Sequence, residues 1–372
     1  MMRSISGAAL LFAAVAACAQ GTTRPPTTSA SPPPKPVNEA PLAGRAAVRI
    51  TNISRRVLAL YYPWYGTPQR SGRWLHQEGV DPTKKTIASH AHYPALGPYD
   101  STDPQVLERH LEQAKAAGID TLVCSWWGRQ DPTDKGVRAL LPMAAAKGLT
   151  VCVMWERLPG LHDQEAATSD LTYLAEAFGK QPGYLKEGGR PVVFALGAVC
   201  QALTPDTWAE VIENVSKAVA PGVRIIGEGS SQADLVLWDG LHSLGYLPRM
   251  RERSATVCAR VQHEYFRVPI LLGRFQGRIS VLTLSPGCDD RPLTKKLGPK
   301  ASLIIEREDG AVYRAVWEQA VKDEPDWVLI NSFNQWHAGT EIEPSVELGD
   351  RYLSITREGA ARFKALRPAA RR

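Results

Sequence analysis

The chain of 372 residues carries 44 Lys and Arg against 38 Asp and Glu, and 44% of its residues are hydrophobic. These proportions are typical of a soluble globular protein, and they exclude a disordered, collagen-like or multi-span membrane chain. The formal net charge of +6 is spread thinly, without a basic stripe interleaved with aromatic residues, so we expect no nucleic-acid partner.

The first residues are typical of a bacterial export signal. An apolar run over residues 5–16 follows Arg3 and is too short to span a bilayer. Residues 15–18 read Val-Ala-Ala-Cys and resemble a lipobox, which predicts cleavage before Cys18 and acylation of that cysteine. A plain secretory signal with a chance cysteine is the alternative. We therefore expect a lipid-anchored protein of the cell envelope, in the outer membrane or facing the periplasm.

The sequence divides into three segments: a signal, a linker and a globular domain. Residues 1–18 form the predicted signal, and residues 19–43 form a linker rich in Pro, Thr and Ser that lacks apolar periodicity. Such a linker cannot bury enough surface to fold, and its prolines favour an extended spacer. Residues 44–372 form the predicted globular domain.

Within that domain, short β-branched and apolar runs alternate with amphipathic stretches. Predicted strands cover residues 57–62, 120–126, 150–156, 191–196, 223–227, 240–246, 279–285 and 327–333. Predicted helices cover 104–117, 206–219, 312–322 and 356–365, and Asp103 is a good N-cap for the first of them. Eight such strands predict an α/β fold, a single (β/α)8 TIM barrel with a long loop after strand 1. A doubly wound open sheet is the alternative, although no glycine-rich phosphate turn follows the first strand.

In a parallel α/β barrel, chemistry belongs at the carboxyl ends of the strands. Aromatic and polar side chains are concentrated there, and we expect them to line an exposed cleft that stacks on sugar faces and hydrogen-bonds sugar hydroxyls. An alternative is that the aromatic rings cap the barrel core. The predicted substrate-binding residues are Tyr62, Trp64, Tyr65, Trp126, Trp127, Tyr246, Asp289, Asp290, Asn334, Trp336 and His337.

Other site chemistries have little support in the sequence. The chain contains no Gly-x-Ser-x-Gly turn of the kind that presents a nucleophilic serine. The one tight histidine pair, His90 and His92, has no nearby strand-end carboxylate, and the five cysteines after Cys18 show no Cys-x-x-Cys spacing. We expect no metal and no cofactor.

Several long segments resemble glycoside hydrolase family 99, the endo-α-1,2-mannosidase family. The matching segments, in the family's order, are 61–68, 93–128, 153–156, 285–291 and 331–345. The resemblance implies a (β/α)8 barrel and an α-linked, mannose-type oligosaccharide or polysaccharide as partner. It also implies a retaining reaction by two glutamates in a strand-8 motif, Phe-Asn-Glu-Trp-His-Glu-Gly-Thr. The first deprotonates the mannose 2-hydroxyl to form an anhydro sugar, and the second protonates the leaving oxygen.

At both of those positions this chain departs from the family. The first glutamate falls on Gln335 and the second on Ala338. An amide has no useful basicity near neutral pH, and alanine cannot transfer a proton. The standard two-glutamate mechanism is therefore not expected to operate.

Three hypotheses remain open. The chain could recognise α-linked glycans without hydrolysing them, or it could be a retaining or inverting hydrolase that uses other carboxylates, with Glu156 and Glu343 as the leading candidates. It could also be a non-enzymatic scaffold lipoprotein. For Glu343, a structural hydrogen bond to the following loop is favoured over catalysis.

Overall fold

The protein is described by a computed structural model that covers residues 40–158, 163–294 and 301–367. The predicted signal, Cys18 and residues 19–39 of the predicted linker lie outside the described residues.

Eight parallel strands close into one barrel. They are β1 (Arg56–Tyr61), β2 (Thr121–Trp126), β3 (Thr150–Trp155), β4 (Arg190–Ala195), β5 (Arg224–Glu228), β6 (Gly240–His242), β7 (Ile279–Leu284) and β8 (Trp327–Ile330). Each strand pairs with the next in the chain, and β8 pairs back with β1 through Arg56 opposite Trp327. The predicted (β/α)8 barrel is confirmed, and the alternative open sheet is wrong.

Helices surround the barrel. They are α1 (Ala40–Ala47), α2 (Pro68–Ser71), α3 (Pro104–Ala116), α4 (Pro132–Ala146), α5 (Gln164–Tyr173), α6 (Gly197–Cys200), α7 (Pro205–Ala218), α8 (Gln232–Leu237), α9 (Ala255–Gln276), α10 (Arg291–Thr294), α11 (Ala311–Asp323) and α12 (Arg351–Lys364). The predicted cap at Asp103 is present, since its side chain accepts a hydrogen bond from the backbone N–H of Gln105. None of the described helices is both long and apolar enough to cross a membrane.

The amino-terminal helix α1 packs beneath the barrel and crosses the domain boundary predicted at residue 44. Arg45 in this helix forms an ion pair with the buried Asp239 at 3.0 Å, and Arg224 at the start of β5 contacts the same carboxylate at 3.1 Å. These ion pairs attach the first described helix to the end of the barrel where the strands begin.

The predicted long loop follows β1. It contains α2 and a two-stranded hairpin, Val80–Asp81 with Thr86–Ile87, before α3 begins. A β-bridge joins Pro94 in this loop to Ser345 in the loop after β8. The loop therefore covers part of the strand-end face, the name used below for the end of the barrel where the strands finish.

Candidate active site at the strand-end face

Asn334 fastens the end of β1 to the loop after β8. Its side-chain Oδ1 accepts a hydrogen bond from the backbone N–H of Tyr62 at 2.7 Å, and its Nδ2 donates to the Tyr62 carbonyl at 3.3 Å and to the Tyr99 hydroxyl at 3.2 Å. Tyr65 donates its hydroxyl to the backbone carbonyl of Asn334 at 2.8 Å. The predicted sugar contact at Asn334 is thus a buried side chain whose polar atoms bond to the protein itself.

Glu343 belongs to a buried hydrogen-bond network. Its Oε1 lies 3.0 Å from Nε2 of His110, and its Oε2 accepts from the Tyr99 hydroxyl at 2.9 Å. The other ring nitrogen of His110 bonds the Tyr61 hydroxyl, and the Trp336 indole N–H donates to Tyr99. Burial raises the pKa of both tyrosines well above the ordinary value. With both carboxylate oxygens bonded to side chains, Glu343 has a structural role, but its partners are Tyr99 and His110 and not the following loop that the sequence had favoured.

The two substituted positions lie in a short turn after β8. The backbone N–H of Gln335 donates to the Ser332 hydroxyl at 2.8 Å, and a 3-10 turn, Trp336–Ala338, follows. The Gln335 side chain lies beside Tyr62 and is 5% exposed, and its Oε1 has no hydrogen-bond partner among the described residues. Ala338 is 1% exposed. The turn therefore offers an unpaired amide acceptor at one position and a small apolar side chain at the other.

Glu156 is the carboxyl group best suited to proton transfer at neutral pH. It follows β3, is 6% exposed, and accepts a hydrogen bond from the Trp127 indole N–H at 2.8 Å. Burial raises the pKa of Glu156 to about 7, and the negative charge of Glu228 adds to this increase. Near neutral pH the protonated and ionised forms of Glu156 are therefore both populated.

Glu228, at the end of β5, holds two loops in place. Its Oε2 accepts from the backbone N–H of Gly197 at 2.7 Å, and its Oε1 accepts from the backbone N–H of Leu244 at 3.0 Å. It joins the loops after β4 and β6 and contributes charge to the surroundings of Glu156.

Most of the predicted aromatic lining is not exposed. Tyr62, Trp64, Tyr65 and Trp336 are each 5% exposed or less, so the expectation of exposed rings fails for them. They pack on one another because the long loop after β1 folds back over the strand ends. Trp127 is only partly buried, and it presents an aromatic surface next to Glu156.

Trp64 lies at the centre of this packed cluster. It stacks on His76 with a centroid distance of 4.5 Å, and Trp127 meets it edge-on at 5.3 Å. The contact with Trp127 supports the ring that remains accessible.

Two predicted cleft residues lie elsewhere. Trp126 is fully buried and points to the helix layer, where its indole N–H donates to Asp134 at 2.9 Å and its ring stacks on Tyr173. Tyr246 is also fully buried and packs against Phe266 of α9 at a centroid distance of 5.3 Å. The structure does not bring either residue to Trp127, so neither is positioned to stack on a sugar at the strand-end face.

Asp289 and Asp290 organise the loop after β7. Asp289 accepts two side-chain hydrogen bonds from Arg291, at 2.8 and 2.5 Å. Asp290 is 1% exposed and accepts from the backbone N–H of Leu303 at 2.7 Å. Both carboxylates are therefore engaged by the protein.

A histidine cluster was not identified as a unit from the sequence. The His337 ring lies 5.7 Å from that of His76 and 5.3 Å from that of His90, and His90 stacks on Trp336. Burial lowers the pKa of His90 to about 4 and that of His337 well below the ordinary value, so both are neutral near pH 7. Positions 76, 90 and 337 are too far apart in sequence for any local pattern to join them.

His92, the other half of the histidine pair singled out in the sequence, has a different environment. It contacts Glu341 at 2.7 Å, and Arg307 contacts the same carboxylate oxygen at 2.8 Å. The pair His90 and His92 is thereby divided between the aromatic cluster and a buried ion-pair network. The expectation that the pair has no nearby strand-end carboxylate is wrong for His92, because Glu341 of the loop after β8 contacts it.

The chain is similar in sequence to known proteins. The model of glycosyl hydrolase family 99 matches residues 52–223, a stretch that ends just before β5. A glycoprotein endo-alpha-1,2-mannosidase-like protein of Mus musculus is 26% identical, covering 87% of this chain and 79% of that protein. A glycoprotein endo-alpha-1,2-mannosidase of Rattus norvegicus is 24% identical, covering 78% of this chain and 68% of that protein.

A solved structure is also similar. It is the GH99 endo-alpha-mannosidase from Bacteroides thetaiotaomicron, with a TM-score of 0.70 and 23% identity, covering 86% of this chain and 100% of that one. This likeness is evidence for the barrel fold.

Proposed function

We propose that this chain is a member of glycoside hydrolase family 99 that binds an α-linked, mannose-type glycan at the strand-end face and does not hydrolyse it by the two-glutamate mechanism. The match over residues 52–223 and the relatives named endo-alpha-1,2-mannosidase support the family and the class of glycan. The closed barrel supports the location of the site, because parallel barrels place their sites at the ends of the strands.

The observation that carries the proposal is the environment of Gln335. Its buried Oε1 is an acceptor without a partner among the described residues, and leaving a buried polar atom unpaired costs about 1–3 kcal/mol. A sugar hydroxyl donating to this oxygen would recover that energy. The partly exposed Trp127 ring supplies an apolar surface near the Glu156 carboxyl group, which can donate or accept a hydrogen bond near pH 7. A stacking ring beside polar groups is the combination that sugar recognition requires.

Calorimetric titration of the full chain with α-1,2-linked manno-oligosaccharides tests this proposal, with α-gluco-oligosaccharides as the matched control. We expect saturable binding of the mannose series at about pH 7 and weaker binding by Gln335→Ala. If the chain binds neither series, the glycan-binding proposal is wrong and the scaffold hypothesis gains support.

A second candidate function, hydrolysis through a different carboxyl group, is favoured by one observation. Glu156 has a pKa of about 7 at the end of β3, which suits a general acid at neutral pH. Glu343 does not suit this role because its two oxygens are bonded to His110 and Tyr99. Product release that is abolished by Glu156→Gln and retained by Gln335→Ala would support this candidate over simple binding.

We also propose that the chain is anchored in the cell envelope by acyl groups on Cys18. The sequence over residues 15–18 and the proline-rich segment after it support this placement. Mass spectrometry of the mature amino terminus tests it, because acylation of Cys18 adds a mass that Cys18→Ser would remove. An unmodified amino terminus, or one produced by cleavage elsewhere, contradicts the anchor.

A further inference from the structure

The longest described helix, α9, carries an apolar stripe on its outer surface. Val268, Leu271 and Phe275 are 48%, 58% and 75% exposed. Their spacing of three and four residues places them on one face of the helix. The remaining large exposed apolar residues of the described chain are Trp74, Leu96 and Val346. The stripe on α9 is therefore a local concentration of apolar surface, of the kind that marks an interaction site.

Exposed basic residues lie beside this stripe. Arg267 precedes Val268 on α9 and is exposed. Arg49 is also exposed, and its side chain lies directly against Gly277, two residues after Phe275. Glu264, one turn before Val268 on the same face, is exposed and lies 4.0 Å from Arg260. An apolar stripe with arginines beside it matches the chemistry of a bilayer surface, where apolar groups enter the acyl boundary and cations meet anionic headgroups.

The amino-terminal segment of the described chain passes close to the end of α9 that carries Phe275. The backbone N–H of Ile50 donates to the Gly277 carbonyl at 2.8 Å, so the segment before β1 passes the end of α9. Cys18 lies in the part of the chain before α1, and residues 19–39 separate the two. At about 3.1 Å per residue for an extended proline-rich segment, this spacer reaches at most roughly 65 Å.

A spacer of that reach confines the domain near its anchor without orienting it. Confinement raises the effective concentration of the domain at the surface, to the order of millimolar for a short tether, so a weak contact is sufficient to orient it. Phe275 lies in the last turn of α9, just before β7 begins at Ile279. Phe275 is therefore near the end of the barrel opposite the strand-end face, and the stripe runs from there along the flank of the barrel.

We propose that the stripe formed by Val268, Leu271 and Phe275 is a membrane-docking face that lies on a lipid bilayer and holds the α9 flank of the barrel against it. This inference rests on the proposed acylation of Cys18. Its consequence is that the strand-end face is left uncovered by the membrane that holds the protein.

The test is depth-dependent quenching on the acylated full chain, reconstituted into vesicles of phosphatidylethanolamine and phosphatidylglycerol with brominated acyl chains. One variant, Phe275→Cys, carries an environment-sensitive fluorophore on the proposed face. The matched control, Val346→Cys, carries the same fluorophore in the loop after β8. Four of the five described native cysteines are buried and Cys200 is partly buried, whereas positions 275 and 346 are exposed, so the introduced thiols are more accessible than the described native ones.

We expect quenching at position 275 to exceed that at position 346 by at least about two-fold, because an interfacial helix buries its apolar face in the acyl boundary. Adding Val268→Ser and Leu271→Ser should reduce the quenching at 275 while the unfolding midpoint stays unchanged. If the chain binds the vesicles but is quenched equally at 275 and 346, the docking face is wrong and the anchor is not contradicted. A second copy that covers the stripe would give this same result. A chain that is not retained on the vesicles overturns both the anchor and the docking face.

Discussion

Replacing Glu156 by glutamine should stabilise the protein, and the stabilisation should grow with pH. The carboxyl group is 6% exposed, and burial raises its pKa to about 7 from an ordinary value of 4.5. Between about pH 4.5 and pH 7, Glu156 therefore stays mostly protonated in the native state, whereas it ionises in the unfolded chain. An amide has the same shape and can still accept the hydrogen bond from Trp127, so the substitution removes the charge with little change in packing.

The sign and size of the stabilisation by Glu156→Gln follow from the linkage between proton binding and folding. The raised pKa contributes stability that is complete below about pH 4.5 and is lost as the pH rises to about 7. The difference between the two pKa values corresponds to about 3 kcal/mol at about pH 8. Relative to the natural chain, Glu156→Gln should therefore gain about 3 kcal/mol at about pH 8 and almost nothing at about pH 4.

Urea unfolding of both proteins across this pH range measures the effect, with Glu318→Gln on the exposed surface of α11 as the matched control. The control should shift by less than about 0.5 kcal/mol at every pH. If Glu156→Gln gains the same free energy of unfolding at pH 4 and pH 8, or loses stability at pH 8, Glu156 does not have a raised pKa. The case for Glu156 as a general acid would then fail.

Three further predictions address the site. Trp127→Ala should weaken manno-oligosaccharide binding by about 1–3 kcal/mol in calorimetry, by analogy with stacking on other aromatic side chains. The control Phe275→Ala should leave the affinity unchanged. Equal effects of the two substitutions would exclude a stacking role for Trp127. The double variant Gln335→Glu with Ala338→Glu should gain measurable product release from an α-mannoside, and an inactive but folded double variant would show that more than these two positions has changed. Glu343→Ala should lower the free energy of unfolding in urea by about 1–3 kcal/mol, since it removes the buried acceptor of Nε2 of His110 and of the Tyr99 hydroxyl, and an unchanged value would contradict the buried network.

The sequence predicted the barrel well because its strands are buried on both faces and appear as continuous apolar runs. The run at 279–285 became β7 (Ile279–Leu284), and the helix predicted over 104–117 became α3 (Pro104–Ala116). Two long helices were not predicted, α4 and α9. Each contains an internal proline, Pro142 and Pro269, which in a sequence favours a break rather than a continuous helix.

The exposure of the site residues was much harder to predict. Trp126 and Trp127 are adjacent, but successive side chains at a strand end point to opposite sides, so only one of them reaches the strand-end face. The burial of Trp64 depends on the loop after β1 folding back to place His76 on it. No local pattern encodes that long-range contact, and the same is true of the hydrogen bonds that engage Asn334.

Product release by the natural chain tests the central claim most directly. The full chain, Glu156→Gln and the double variant Gln335→Glu with Ala338→Glu would be incubated with a panel of α-mannans and α-glucans at about pH 7. We predict that the natural chain binds the mannose series and releases no product. Release by the natural chain that Glu156→Gln abolishes would contradict it and identify the protein as a hydrolase with a different set of catalytic carboxylates.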